Sequence, residues 1–204
     1  MGAGTNEGYQ VKCPYVRYDE TVWSQLESLQ LADVVTGGEV AEPTSVRACW
    51  DDANVYVRFD CRDGYAVSPY TKRDEPLYDH DVVEVFIDEA GEGTRYLEFE
   101  ISPFNVLFDA IIDNNNGELT IGLEWDAEGW QTSVREDGEG NRIYELAFPH
   151  GTFTRKPAEG VQWRVNFYRI DEEPGGKRHY QAWSPTGIER FHVPARFGTL
   201  TFVK

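Results

Sequence analysis

The side chains best placed for chemistry are a tyrosine and a glutamate in one short stretch, Tyr78-Asp79-His80-Asp81-Val82-Val83-Glu84-Val85-Phe86-Ile87-Asp88. From Asp81 onward the stretch alternates. Val83, Val85 and Ile87 fall on one parity, and Val82, Glu84, Phe86 and Asp88 on the other. Period-two placement of β-branched residues predicts a strand with one face in a core. Glu84 is then a carboxylate flanked on its own face by Val82 and Phe86. It reads either as an ordinary outward charge on a half-exposed sheet or as a ligand-binding group. Tyr78 favours the second, because a loop marked by Pro76 delivers an aromatic ring immediately before the strand. Such a ring packs on the apolar C–H face of a pyranose while the carboxylate accepts hydrogen bonds from paired hydroxyls. Non-catalytic binding of a saccharide is the expectation.

Catalytic readings have less support. The chain has no Gly-x-Ser-x-Gly elbow, no His-Glu-x-x-His and no phosphate-cradling glycine loop. His80, His150, His179 and His192 are scattered without metal-ligand spacing. A glycoside hydrolase could be assembled from Glu84 with Glu98 or Glu100, since two carboxylates flanking a sugar are the minimum. No further signature accompanies that pair. A structural or protein-interaction domain is the remaining alternative.

The elements that must hold these side chains read as short strands. Val55, Val57, Phe59 and Cys61 share one face of a strand, paired through Asp51-Asp52-Ala53-Asn54 with Val46 to Trp50. A long irregular segment, 64–78, leads into the central strand, and loops of such length are usually functional or disordered. Next comes Tyr96-Leu97-Glu98-Phe99-Glu100-Ile101, whose Leu97, Phe99 and Ile101 can face the core only if Glu98 and Glu100 share the face of Glu84. Like charges on neighbouring strands cost a few tenths to ~1 kcal/mol, so a compensating partner is expected. The candidates are an arginine (Arg58, Arg62 or Arg164, the commonest solution), a cation, or ligand hydroxyls. Further strands are expected at 10–13, 29–32, 106–113, 130–135, 142–148, 162–169, 179–183 and 197–203, with Asp113-Asn114-Asn115-Asn116-Gly117 as a turn. One helical turn is expected at 19–26, anchored by Trp23. The sum is an all-β, two-sheet antiparallel β-sandwich, jelly-roll or immunoglobulin-like, of about eleven strands with one short helical turn.

The stretch Tyr78 to Asp88 resembles the central motif of family 9 carbohydrate-binding modules: an aromatic residue, usually Trp, two residues, then Asp-x-(aliphatic)-Glu-(aliphatic)-Phe-(aliphatic)-Asp. Trp23 and the run Trp163-Arg164-Val165-Asn166-Phe167-Tyr168-Arg169 are also similar to the family, and the resemblance runs from about Trp23 to Phe202. It implies a sugar held between two aromatic rings, with Tyr78 as the first and Trp183 as the second, and Glu84 bonding the hydroxyls. Arg73, Glu98 and Asn166 are the expected rim. It also implies mono- or oligosaccharide partners, gluco- or xylo-configured, or polysaccharide ends. Two departures stand out. Tyr replaces Trp at 78, and the family's arginine on the following strand falls near Leu97, leaving Arg95 or Arg73 as substitutes. The resemblance further implies structural calcium, for which Asp51-Asp52 and Asp113-Asn114-Asn115 offer oxygens. A related haem-binding sandwich uses a methionine ligand. The one methionine here is Met1, so no haem is expected.

With 204 residues, a single domain is expected: a tail and edge strand over 1–14 and a carbohydrate-module-like sandwich over 15–204. A formal charge of -17 without any basic run argues against nucleic acid or an anionic membrane surface as partner. No apolar stretch reaches the ~18 residues of a membrane span. Residues 1–10 carry no hydrophobic segment that would act as a secretion signal, so the chain is expected either to be cytoplasmic or to begin after a removed signal. Of three cysteines, Cys49 is expected opposite Tyr56 and Cys61 several residues further along the ladder, too far for a disulfide. Buried free thiols follow, which weakly favour a reducing compartment.

Overall fold

The computed structural model describes residues 8–204. The alternating stretches form strands, in chain order β1 (Gln10–Pro14), β2 (Leu29–Gln30), β3 (Ala32–Asp33), β4 (Thr44–Trp50), β5 (Asn54–Arg62), β6 (Val82–Asp88) and β7 (Arg95–Ile101). They continue as β8 (Leu107–Asn115), β9 (Glu118–Gly122), β10 (Gln131–Glu136), β11 (Asn141–Pro149), β12 (Gln162–Glu172), β13 (Arg178–Ala182) and β14 (Gly198–Val203). Short 3-10 turns replace any α-helix among the described residues; the one at Val22–Gln25 is the expected helical turn.

Two sheets result. A nine-stranded sheet has the order β1-β14-β12-β6-β7-β8-β9, with β13 beside β12 and β3 beside β13; a five-stranded sheet has the order β10-β11-β5-β4-β2. Pairing within the sheets is antiparallel, as expected, except that β1 runs parallel to β14. Fourteen strands among the described residues, rather than about eleven, arise partly because the expected strand 29–32 divides in two. β2 pairs with β4 in one sheet and β3 with β13 in the other, so the chain changes sheets at the buried Leu31. β9 also joins, closed on β8 by Asn116-Gly117, both at positive φ (54° and 99°) as a tight two-residue hairpin demands.

The facing sheets enclose the main core. Val83, Val85 and Ile87 of β6 meet Val55, Val57, Phe59 and Cys61 of β5 in one apolar cluster. Each such side chain contributes about 1.5–3 kcal/mol by leaving water. Cys13, Cys49 and Cys61 are free and buried, and Cys49 lies opposite Tyr56 as the hairpin requires. Trp23 anchors a smaller cluster with Val22, Cys49 and Tyr56 on the outside of the five-stranded sheet.

The other face of the nine-stranded sheet departs from a simple sandwich. Val82 and Phe86 of β6, Tyr96 of β7, Phe108 and Ile112 of β8, and Tyr168 and Ile170 of β12 build a second apolar cluster there. Leu77 from the segment before β6, and Phe191 and Phe197 from the segment before β14, cover it. All seven residues of β6 are therefore buried. Glu84, Glu98, Glu100 and Asn166 on this face are buried, whereas Gln162 and Arg178 at the ends of their strands are exposed.

Candidate functional site

The opening that the two covering segments leave lies over β6 and β7. In their antiparallel register Glu84 sits directly opposite Glu100, and Phe86 opposite Glu98. The three glutamates thus project from one face, with carboxylate oxygens all within 4.8 Å of one another. They are 1%, 4% and 0% exposed for Glu84, Glu98 and Glu100. The expected arginine partner is not there. Arg58 binds Asp60 and Glu145, Arg62 the Glu139 carbonyl, and Arg164 the carbonyls of Phe197 and Gly198. His192 Nε2 comes within 3.8 Å of Glu98, but burial first, and then Arg190, push its pKa down to about 4, leaving a neutral ring.

Burial raises all three carboxyl groups. Glu98 is pushed up to about 8. Glu84 and Glu100 rise well above the usual carboxylate range, by burial first and then by the neighbouring glutamates. The Tyr78 amide offsets a little of this at Glu100. Glu84 Oε1 and both carboxylate oxygens of Glu100 are buried with no hydrogen-bond partner, which costs roughly 1–3 kcal/mol per neutral group and more for a charged one.

Two other groups of three carboxylates have equally close oxygens, and each surrounds an arginine. Glu42, Asp63 and Asp171 enclose the buried Arg169, which bonds Asp171 at 2.6 Å. Asp74, Asp109 and Asp126 gather on Arg73, which bonds Asp109 and lies 2.9 Å from Asp126. The loops at Asp51-Asp52 and Asp113-Asn114-Asn115, expected to offer calcium ligands, contribute to none of these groups. Asp51 caps its own hairpin through the Ala53 and Asn54 amides, and Asp113 pairs with Arg95.

Above Glu84 and Glu98 opens a pocket of about 430 Å³. Tyr78 stands at its mouth, 44% exposed, on the 3-10 turn Leu77–Asp79. Leu77 is fully buried and fixes the turn, which frees the next side chain to point outward, edge-on to Phe108 at 6.3 Å. Tyr180 on β13, Phe191 and His192 add ring surface, and Arg178 and Arg190 add positive charge.

Residues 17–204 match the family model described as carbohydrate family 9 binding domain-like. The chain belongs to this family. It is 26% identical over 175 residues to an extracellular protein of Arthroderma benhamiae, covering 78% of each chain. It is 27% identical over 187 residues to endo-1,4-beta-xylanase A of Thermotoga neapolitana, covering 91% of this chain and only 16% of that enzyme. A family 9 carbohydrate-binding module from Caldicellulosiruptor kristjanssonii, solved with cellotriose, shares the fold with a TM-score of 0.73 at 15% identity, over 95% of this chain and 93% of that one.

Among the residues expected from the family 9 motif, Tyr78, Glu84 and Glu98 come together at the pocket. Three do not. Trp183 is 5% exposed and belongs to the main core, tilted against Phe167 at 5.8 Å, so it cannot be the second stacking ring. Its ring lies on Gly198, where an added methyl would overlap it. Asn166 is fully buried and saturated: its amide donates to the Tyr168 hydroxyl and the Ser184 carbonyl, and its oxygen accepts from the Phe167 and Ser184 amides. Arg73 is held by Asp109 and Asp126, away from the pocket. Arg95 lines a different cleft, of about 590 Å³, beside Trp125.

Tyr180, Arg178, Arg190 and His192 are pocket residues that the sequence reading missed. A signal for Tyr180 existed in parity. Tyr168 pairs with Ala182 and Ile170 with Tyr180, so 178, 180 and 182 share the pocket face, whereas Trp183, bonded to the Phe167 carbonyl, turns into the core. Arg190 and His192 lie in a loop without periodicity, and nothing local marks them.

Proposed function

We propose that the chain binds a saccharide without transforming it, in the pocket over β6 and β7, with one sugar ring laid on Tyr78 and hydroxyls directed to the Glu84 side. The observation that carries this reading is the pairing of an exposed ring at the pocket mouth with buried, unpartnered carboxylate oxygens beneath it. An apolar ring face and a hydrogen-bonding edge are the two halves of a pyranose. A volume of about 430 Å³ lies within the ~300–1,000 Å³ usual for small-ligand sites. Tyr180 takes the part first expected of Trp183, and Arg178 and Arg190 supply the donors that Leu97 cannot. The ligand class is gluco- or xylo-oligosaccharides or their chain ends, in keeping with the cellotriose complex of the Caldicellulosiruptor module.

Hydrolysis is disfavoured by the same geometry. A glycosidase needs one carboxyl group on each side of the scissile bond. Glu84, Glu98 and Glu100 project from one floor and cannot flank it. Calorimetric titration with glucose, cellotriose and xylo-oligosaccharides tests the reading: saturable binding that Tyr78→Ala weakens supports it, and no binding of any of these sugars by the intact chain overturns it. Product release that Glu84→Gln abolishes would establish the hydrolase instead.

A further inference from the structure

Among the described residues three groups of carboxylates come together; two are built round an arginine and one is not. The exception is Glu84, Glu98 and Glu100, the most enclosed of the three, and it also holds three buried oxygens with no partner, Glu84 Oε1 and Glu100 Oε1 and Oε2. Stacking three acids on adjacent strands without a counter-charge is a costly arrangement to fold. A cation would relieve it at the point where relief is needed.

We propose that Glu84, Glu98 and Glu100 form a divalent cation site of the calcium class at the floor of the pocket, and that the bound ion takes two neighbouring hydroxyls of the sugar as its outer ligands. This deepens the saccharide reading and rests on it. The donor set is carboxylate oxygen throughout, which selects hard cations over zinc or copper. The three glutamates offer oxygens within 4.8 Å of one another, close enough for a single ion to reach all three at the roughly 2.3–2.6 Å of calcium–oxygen bonds. Three carboxylates supply up to six oxygens, and calcium accepts 6–8, so positions remain for a vicinal diol. Glu84 and Glu98 line the pocket while Glu100 lies behind them, so the open side of the ion faces the ligand. Arg178 and Arg190 on the pocket wall balance the charge that three carboxylates leave on a divalent ion.

The test uses the intact chain stripped with EDTA, with calcium chloride and terbium(III) as probes. Calorimetry is expected to find a calcium site that Glu98→Gln and Glu100→Gln each weaken at least tenfold, while Asp126→Asn and Glu42→Gln, in the arginine-centred groups, leave it within twofold. Excitation of nearby tyrosines is expected to sensitise terbium emission in the wild type, and this emission is lost in Glu98→Gln. Both glutamine variants replace a buried carboxyl group by an amide of the same shape, so melting curves in EDTA at or above the wild-type temperature confirm that they are folded. Cellotriose affinity is expected to fall at least tenfold in EDTA and to return with calcium. Absence of a calcium site, or a site that only Asp126→Asn or Glu42→Gln removes, overturns the proposal. Sugar binding equal in EDTA and calcium also overturns it while leaving the saccharide reading intact. Calcium bound at the glutamates with no sugar binding in either condition removes the saccharide reading and the bridging role together.

Discussion

At the scale of single residues, the two aromatic side chains singled out from the sequence have opposite fates, and substitution separates them. Tyr78 is nearly half exposed on a turn that Leu77 secures. Tyr78→Ala is expected to weaken saccharide binding by roughly 2–12-fold, the ~0.5–1.5 kcal/mol of a ring contact, with little change in melting temperature. Trp183→Ala is expected to do the reverse, costing about 3–5 kcal/mol of stability as read in urea unfolding, because the ring fills the core between Phe167 and Tyr9. A Gly198→Ala chain should unfold more easily for the same reason, since its methyl would need the space of that ring and would lie 2.8 Å from the Tyr9 carbonyl. Glu84 was legible because a strand of strict alternation fixes which way its side chains face, and Tyr78 because a loop marked by Pro76 leads directly into that strand. Trp183 was misread because it follows the last paired residue of β13, and its direction depends on which residue of β12 stands opposite.

At the scale of elements, β6, β7 and β12 carry both the pocket and a structural tie to the other sheet. That Glu84 stands beside Glu98 or Glu100 follows from the alternation in the two segments and could be read in advance; that the one directly opposite is Glu100 comes from the register. The second apolar layer could not. Leu77, Phe191 and Phe197 are isolated apolar residues in irregular segments, and only the folded chain shows that they cover a sheet. The strand break at Leu31 was hidden for a related reason, as two paired residues on each side are too few to show a period. Arg169 of β12 joins the sheets by donating to Thr44 Oγ1 and to the Arg62 carbonyl while bonding Asp171. Arg169→Ala leaves Asp171 without its buried partner, while Asp63 keeps its bond to Arg142, and it is expected to cost about 3–5 kcal/mol in denaturant unfolding. Arg169→Met, which also removes the charge, should cost nearly as much, because the acids rather than the lost volume set the penalty.

At the scale of the whole molecule, the acidic balance becomes a pH dependence. The all-β, two-sheet reading was available from strand spacing alone; which acids fold inward was not. Burial pushes Asp81 up to about 7 and Asp109 and Asp171 up to about 6. In the unfolded chain each holds its proton only below about 4. Between those values the native state binds more protons than the unfolded state, so stability falls as pH rises. The contribution is fully present below about pH 4 and is lost through pH 6–7. Asp19, Asp33, Glu75, Asp137 and Glu173 are shifted the other way, downward, chiefly by hydrogen bonds to their carboxylates. Without added calcium, the melting temperature is expected to be higher at pH 5 than at pH 8, and Asp81→Asn should flatten the slope. A melting temperature that climbs steadily from pH 5 to 8 would contradict the burial of these groups.

The parallel pairing of β1 with β14 bears on how the domain resists force. Gln10 stands beside Thr199 and Pro14 beside Val203, with Thr199 donating to the Tyr9 carbonyl and Tyr15 to that of Val203. The chain therefore enters at one end of this ladder and leaves at the other. Tension applied at the two termini drags one strand lengthwise along its neighbour and loads all the rungs together, where an antiparallel closure would peel open one rung at a time. Stretched in a single-molecule instrument, the domain should yield in one abrupt, high-force event.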